Sequence, residues 1–165
     1  MKRYRKAKSL FLDEIDRGII VELQADAGQS YLGIGKKIGA SEGTIRNRVN
    51  SHLGNGLFKL KAVLNPVKLG LDFSCILGLE IAIEKLNEAE ALLAESPHVY
   101  FLASCTGTYD LIAVLLFQNT NDFDIFMRES IAKLPGIKRS QTFVNMRLTK
   151  TPWTNDLEVN KLLKS

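Results

Sequence analysis

The chain has few of the residues that catalytic and metal sites most often use. It contains two histidines and two cysteines among 165 residues. His52 and His98 are isolated, and no cluster of His, Cys and carboxylates has the spacing of metal ligands or of a catalytic group. Cys75 and Cys105 both lie in apolar runs, which predicts buried thiols. These absences argue against an enzyme, and no cofactor is expected.

Long apolar runs are also missing. No stretch approaches the roughly 20 apolar residues of a membrane span. The N-terminus has no apolar signal segment, so no membrane association and a cytoplasmic location are expected. A hydrophobic content of 45% and a charged content of 24% are ordinary for a globular protein.

Positive charge is concentrated in the first part of the chain. Residues 1–65 hold 12 Lys/Arg and 6 Asp/Glu, a net charge of +6, whereas residues 66–165 hold 10 and 12, a net charge of −2. Such a bias is expected of a nucleic-acid-binding region. The basic arm at residues 1–11 is interpreted either as a DNA-backbone or minor-groove contact or as a solvated tail. Its cations are Lys2, Arg3, Arg5, Lys6 and Lys8.

Residues 12–53 have the pattern of three helices. Leu12, Ile15, Ile19, Ile20 and Leu23 recur at helical spacing over residues 12–24. Two short helices follow. Their expected N-caps are Ser30 and Ser41, and Gly39 ends the first of them. Their expected buried positions are Leu32, Ile34 and Ile38, then Ile45, Val49 and Leu53.

The last two helices have the layout of a helix-turn-helix, which presents its second helix to the DNA major groove. Arg suits guanine, Asn suits adenine, and hydroxyl groups suit phosphate. Two alternatives are a surface hairpin with solvated charges and a helical domain that contacts protein. The expected DNA-binding residues are Tyr31, Lys36, Lys37, Ser41, Glu42, Gly43, Thr44, Arg46, Asn47, Arg48 and Ser51.

The second half of the chain has the order βαββαβ. Strands are predicted at residues 75–83, 99–105, 111–117 and 137–148, and helices at 87–96, capped by Asn87, and 121–133. This is the ferredoxin-like arrangement, an antiparallel sheet with two helices on one face. The other face needs cover, which a second subunit would supply. A further strand is predicted at residues 57–64, leading to a hinge that ends at residue 72.

A helix-turn-helix followed by this domain resembles the Lrp/AsnC family of regulators. The matching segments are Leu-Asp-Glu-Ile-Asp at 12–16, Ile-Gly-Ala-Ser-Glu-Gly-Thr-Ile-Arg-Asn-Arg-Val at 38–49, Asn-Pro-Val-Lys-Leu-Gly at 65–70, Gly-Thr-Tyr-Asp-Leu at 107–111 and Leu-Pro-Gly-Ile at 134–137. The resemblance implies an α+β chain with a winged-type three-helix domain and a RAM (ACT-like) domain. It also implies a dimer, often assembled into an octamer, that binds double-stranded DNA and often an amino acid between subunits.

The family's Gly-Asp-Tyr-Asp turn lies at that effector site. Here the turn is Gly107, Thr108, Tyr109 and Asp110, so one carboxylate is absent. Asp110 would accept hydrogen bonds from an α-amino group, and Ser140 and Thr142 would complete a polar rim. The alternative is a hairpin turn in which Asp110 satisfies local backbone groups.

The expected divisions of the chain are a basic arm (1–11), a helix-turn-helix domain (12–58), a linker strand and hinge (59–72), a RAM domain (73–150) and a tail (151–165). The expected function is sequence-specific regulation of transcription. In a dimer, two recognition helices about 34 Å apart would read a pseudo-palindromic promoter site. The alternative is a ligand-sensing or assembly protein.

Overall fold

The structure is a computed structural model that describes residues 11–150. These residues form two compact units, the first extending to Val63 and the second starting at Leu64. The predicted basic arm, apart from Phe11, and the predicted tail at residues 151–165 lie outside the described residues.

The first unit consists of three helices, as predicted: α1 (Glu14–Ala25), α2 (Tyr31–Ile38) and α3 (Glu42–Asn55). The predicted caps are confirmed. Ser30 Oγ accepts a hydrogen bond from the Gly33 N–H, and Ser41 Oγ accepts one from the Thr44 N–H, each at 3.1 Å. Gly39 ends α2 with φ 75°, a left-handed conformation that glycine adopts without strain.

The core of this unit is formed by Ile19, Leu23, Ile34, Ile45 and Val49, all buried. Two predicted core positions were wrong. Leu32 is 49% exposed and Leu53 is 37% exposed, and His52 takes the place on α3 that was predicted for Leu53. The inward side of α2 is instead completed by Gly35, which is buried.

Gly35 allows α2 to lie close to the turn that follows it. A Cβ at this position would stand 2.4 Å from the carbonyl oxygen of Ala40. That oxygen belongs to the backbone and cannot swing aside, so a side chain at residue 35 would displace the turn.

The strand predicted at residues 57–64 is absent. Residues 57–66 form no helix or strand, and a single 3₁₀ turn follows at Val67–Leu69. A strand requires a hydrogen-bonded neighbour, and the sheet of the described residues contains only four strands, all from the second unit. The alternating pattern of residues 57–64 therefore predicted a strand that this segment does not form.

The second unit confirms the predicted βαββαβ order. Its elements are β1 (Phe73–Ile81), α4 (Leu86–Ala94), β2 (Val99–Ser104), β3 (Leu111–Phe117), α5 (Thr120–Phe126) and β4 (Ile137–Val144). The strands lie in the order β2-β3-β1-β4, and every neighbouring pair is antiparallel. A π-helical segment, Met127–Ile131, continues α5.

Some predicted boundaries in this unit were wrong. Asn87 does not cap α4, because the helix continues directly from the 3₁₀ turn Ile83–Lys85 and Lys85 occupies the cap position. That turn also follows the end of β1 at Ile81, and Ile83, predicted as a strand residue, is 75% exposed.

The two faces of the sheet differ. One face is covered by the helices, and its side chains from β1 and β3 are buried, among them Cys75, Leu77, Leu79 and Phe117. Burial raises the pKa of the Cys75 thiol to about 11. Cys105, predicted to be buried like Cys75, is only half-buried, and its Sγ donates to the Tyr109 carbonyl oxygen.

The opposite face, which we call the open face, is partly apolar. Ile76 lies beside Phe143 on one side and Val114 on the other, and Val114 lies beside Phe101. Ile76, Phe101 and Phe143 are 37%, 52% and 47% exposed. An apolar stripe therefore crosses all four strands, and α4 and α5 do not cover it.

Candidate nucleic-acid interface and ligand site

Helix α3 presents a polar surface opposite its buried stripe. Ile45, Val49 and His52 are buried against the core. With about 100° between successive residues, the opposite side of the helix carries Gly43, Asn47, Asn50 and Gly54, none of which is buried. We call these four residues the outward face. Asn50 was not among the predicted contacts, although its spacing of three residues from Asn47 indicated it.

Arg46 lies on the flank of α3 next to α2. Its guanidinium forms an ion pair with Glu42 and stands 5.6 Å from the centre of the Tyr31 ring. The structure thus brings three of the predicted DNA-binding residues together. Arg46 remains exposed, so its charge is available at this edge of the helix.

Ser41 and Thr44 are engaged in capping. Their hydroxyl groups are hydrogen-bonded to each other at 2.8 Å, and Ser41 Oγ also accepts from the Thr44 N–H. Glu42 and Gly43, also predicted contacts, lie in the same first turn of α3, and Ser51 lies about two turns further along the helix; none of the three is buried.

The two lysines at the end of α2 differ in their surroundings. Lys37 pairs with Glu22 of α1 and donates to Gln29 Oε1 at 2.7 Å, and this lysine holds the pKa of Glu22 below its ordinary value. Lys36 is exposed and has no ion-pair partner within residues 11–150. Lys36 is therefore the less constrained of the two lysines in the last turn of α2.

Arg48 is directed to α1 by two carboxylates. Its Nη1 lies 3.1 Å from both oxygens of Asp16, and its Nη2 lies 2.9 Å from Asp13 Oδ2. The charges of Asp16 and Asp13 raise the pKa of Arg48. A hydrogen bond from the Asp16 backbone N–H, together with the Arg48 charge, lowers the pKa of Asp13.

His52 completes this group. Its Nε2 lies 2.8 Å from Asp16 Oδ1, and Asp16 is only 2% exposed. A buried carboxylate is tolerated where it is paired and hydrogen-bonded. The Asp16–Arg48–His52 network thus joins α1 to α3. It was not predicted from the sequence, where Arg48 was expected to contact DNA and His52 to be isolated.

The predicted effector turn is tied to the end of β1. Gly107 has φ 125°, which favours glycine. The backbone N–H of Asp110 donates to the Leu79 carbonyl at 2.9 Å, and its Oδ2 accepts from the Ile81 N–H at 2.8 Å. One carboxylate oxygen of Asp110 therefore accepts from the backbone of β1, 29 residues away, and not from the local backbone of its own turn as the hairpin alternative expected.

Tyr109 lies across the open face of the sheet. A Cβ on Gly78 would stand 2.8 Å from its ring, so the missing side chain at Gly78 makes room for Tyr109. The Tyr109 hydroxyl donates to Gln141 Oε1. Gln141 was not predicted as a site residue.

The structure does not bring Ser140 and Thr142 to the turn. Ser140 lies opposite Leu79 and Thr142 opposite Leu77, and both leucines face the helices, whereas Gln141 lies opposite Gly78. Cross-strand partners share a face of the sheet. The predicted polar rim was therefore assigned to the wrong side of β4.

A polar cavity of about 320 Å³ opens beside the turn. Three carboxylates and one ammonium group lie around it, from Glu80, Glu84, Asp110 and Lys138, together with Gly107 and Thr108. Groups of both signs suit a zwitterionic ligand.

Within residues 11–150, no cluster of three or more His, Cys or carboxylate side chains has the arrangement of a metal site. None of the helices in this part of the chain has the length and apolar character to cross a membrane.

Two family models match the chain. The one described as the AsnC-type helix-turn-helix domain covers residues 12–51, and the one described as the Lrp/AsnC ligand binding domain covers residues 74–152. An HTH-type transcriptional regulator of Pyrococcus furiosus is 31% identical over 134 residues, or 81% of this chain and 90% of the relative. Another, from Methanocaldococcus jannaschii, is 32% identical over 140 residues, or 84% of this chain and 95% of the relative.

Solved structures share the fold. The structure of Escherichia coli AsnC has a TM-score of 0.82 at 22% identity, covering 86% of this chain and 97% of that one. A transcriptional regulator of Neisseria meningitidis, solved as a complex with L-Met, has a TM-score of 0.83 at 21% identity, covering 93% of this chain and all of the other.

Proposed function

The chain belongs to the Lrp/AsnC family of helix-turn-helix transcriptional regulators, and we propose that it binds promoter DNA through α2 and α3 under the control of a small effector. Family membership implies DNA binding and self-association, and it places the protein among regulators rather than enzymes. The observation that carries the proposal is the exposed polar surface of α3, with Arg46 on the side of this helix next to α2 and Lys36 exposed on α2. Its proposed place of action is the cytoplasm, with the chromosome.

In this proposal α3 enters the major groove while cations beside it contact phosphates. Lys36 and Arg46, both exposed, are proposed to make such contacts, and Lys37 is proposed to do so when it leaves Glu22. The hydroxyl groups of Ser41 and Thr44 lie at the N-terminus of α3, where backbone N–H groups favour a phosphate oxygen. A dimer would present two such helices to a pseudo-palindromic site.

Replacing Lys36 and Arg46 together with alanine is expected to weaken binding to all DNA sequences alike. Removing one cation that binds a phosphate should lower the slope of log affinity against log salt by about 1. Fluorescence anisotropy with a labelled duplex at several salt concentrations measures this slope.

The matched control is the double variant R128A/K133A, which removes the same charge from the second unit. Its slope is expected to equal that of the unaltered protein. If both double variants bind DNA with the unaltered slope, Lys36 and Arg46 do not contact phosphate.

Self-association is proposed to use the open face. An apolar stripe that crosses four strands gains stability when a second copy covers it.

Phe143→Asp places a charge in this stripe and is expected to convert dimers to monomers, which sedimentation velocity measures. Ile125→Asp, on the outer side of α5 and 51% exposed, is the control and should leave the assembly unchanged. Dimers that persist in F143D would contradict this interface. The same measurement on the unaltered protein would detect an octamer.

The proposed effector is an amino acid bound beside the turn Gly107–Asp110. The mixed charges of the cavity support it, and a structural neighbour is known as an L-Met complex. The ligand would act by binding one assembly state more tightly than another. An amino-acid pool that changes neither DNA affinity nor oligomeric state would contradict this assignment.

A further inference from the structure

The outward face of α3 is composed of residues that are poor helix formers. Glycine and asparagine both lower helix stability relative to alanine, yet Gly43, Asn47, Asn50 and Gly54 occupy this face together. None of them is buried, so packing in the first unit does not explain the choice. Their exposure leaves this face free to contact another molecule.

The two amides of the outward face are available for such a contact. Within residues 11–150, neither Asn47 nor Asn50 has a hydrogen bond to another side chain or to a loop backbone. Each amide offers a carbonyl acceptor and an NH₂ donor side by side. That pair matches the N7 acceptor and N6 donor of adenine in the major groove.

The arginines of α3 do not occupy this face. Arg48 is directed to α1 by Asp13 and Asp16, and Arg46 lies toward α2, against Glu42 and Tyr31. The centre of the helix surface therefore carries amides flanked by cations. This charge pattern is expected of a helix whose flanking cations contact phosphates and whose central amides contact base edges in the groove.

The glycines at either end allow a close approach. An ideal Cβ atom built on Gly54 would meet nothing within 4 Å, and one on Gly43 would meet only Ser41 Oγ at 3.9 Å. The space beyond both positions is open. With no side chain there, the helix backbone can come nearer to the floor of a groove.

The spacing of the amides fits neighbouring base pairs. Three residues of α-helix rise about 4.5 Å, which is more than the rise of about 3.4 Å for one base pair and less than that for two. We propose that Asn47 and Asn50 determine the base preference of this protein, each reading adenine in adjacent A·T pairs. This inference rests on the proposed function, because it requires α3 to enter the major groove.

The test is a selection from a randomised duplex library with the full-length protein and with N47A, N50A and N47A/N50A. The unaltered protein is expected to enrich A·T at neighbouring positions in each half-site. Each single variant should lose the preference for A·T at one position, where its discrimination against the other base pairs should fall about 5- to 150-fold. Each should retain the salt dependence of binding. The control is Asn87→Ala, the same change at an exposed position of α4, which should retain every preference.

The possible results separate the two proposals. If the unaltered protein selects a sequence and N47A/N50A selects the same one, the assignment of the amides is overturned while the proposed function stands. If the unaltered protein selects nothing and binding is insensitive to salt, both are overturned. Alanine favours the helix, so a loss of folding, checked by circular dichroism, is not expected to obscure the result.

Discussion

Replacing Asp16 with alanine is expected to lower the free energy of unfolding of the first unit by about 3 kcal/mol. The carboxylate is 2% exposed and holds both Arg48 and His52. Without it, the buried His52 Nε2 loses its partner. Arg48 remains paired with Asp13 and is partly exposed, so losing its contact with Asp16 costs less free energy than the loss at His52.

The expected structural consequence is a loss of the link between α1 and α3. Hydrogen exchange of the full-length protein measures it, because amides of α1 and α3 should exchange faster while those of the sheet do not. Glu14→Ala, an exposed position in the same first turn, is the matched control and should change exchange little. Equal protection in D16A and E14A would show that the Asp16–Arg48–His52 network contributes no stability. DNA affinity should fall with D16A, since α3 would no longer be held in position.

Replacing Phe117 with alanine is expected to cost the second unit about 4 kcal/mol. The side chain is fully buried and lies against Phe73, Phe123 and Phe126. The ring of His98 stacks on it with the ring centres 4.5 Å apart. Removing the ring leaves a cavity that the surrounding side chains cannot fully close.

Urea denaturation with hydrogen exchange of β1 and β3 measures the loss. Phe101→Ala is the matched control, because Phe101 is on the open face and 52% exposed. F101A should lower the free energy of unfolding much less than F117A does. Any larger effect of F101A should be on self-association, because Phe101 lies on the open face. Comparable destabilisation by the two variants, measured at concentrations where both are monomeric, would contradict the placement of Phe101 on an uncovered face.

The features that were predictable from the sequence depend on neighbouring residues. The caps at Ser30 and Ser41, the left-handed Gly39 and the alternation of Leu111–Phe117 are each set by a few consecutive positions. Such patterns are recognisable without knowledge of the fold. The order βαββαβ followed from them.

The missed features depend on pairing over long distances. Arg48 and His52 meet Asp16 across 32 and 36 residues, and no local pattern indicates this. Ser140 and Thr142 were assigned to the wrong side because the side-chain direction of β4 is fixed by its register with β1. Residues 57–64 alternate like a strand, but alternation cannot supply the partner that a strand needs.

The central claim, that this protein recognises DNA through α3, is tested most directly by a binding titration. The unaltered protein would be titrated onto its selected duplex and onto a scrambled one, at about 50 and 200 mM salt, with and without amino acids. We predict tighter binding to the selected duplex and, if about six phosphates are neutralised, a loss of roughly 10³-fold in affinity between the two salt concentrations. Equal affinity for both duplexes, unchanged by salt, would contradict the claim and indicate that the helical unit contacts protein instead.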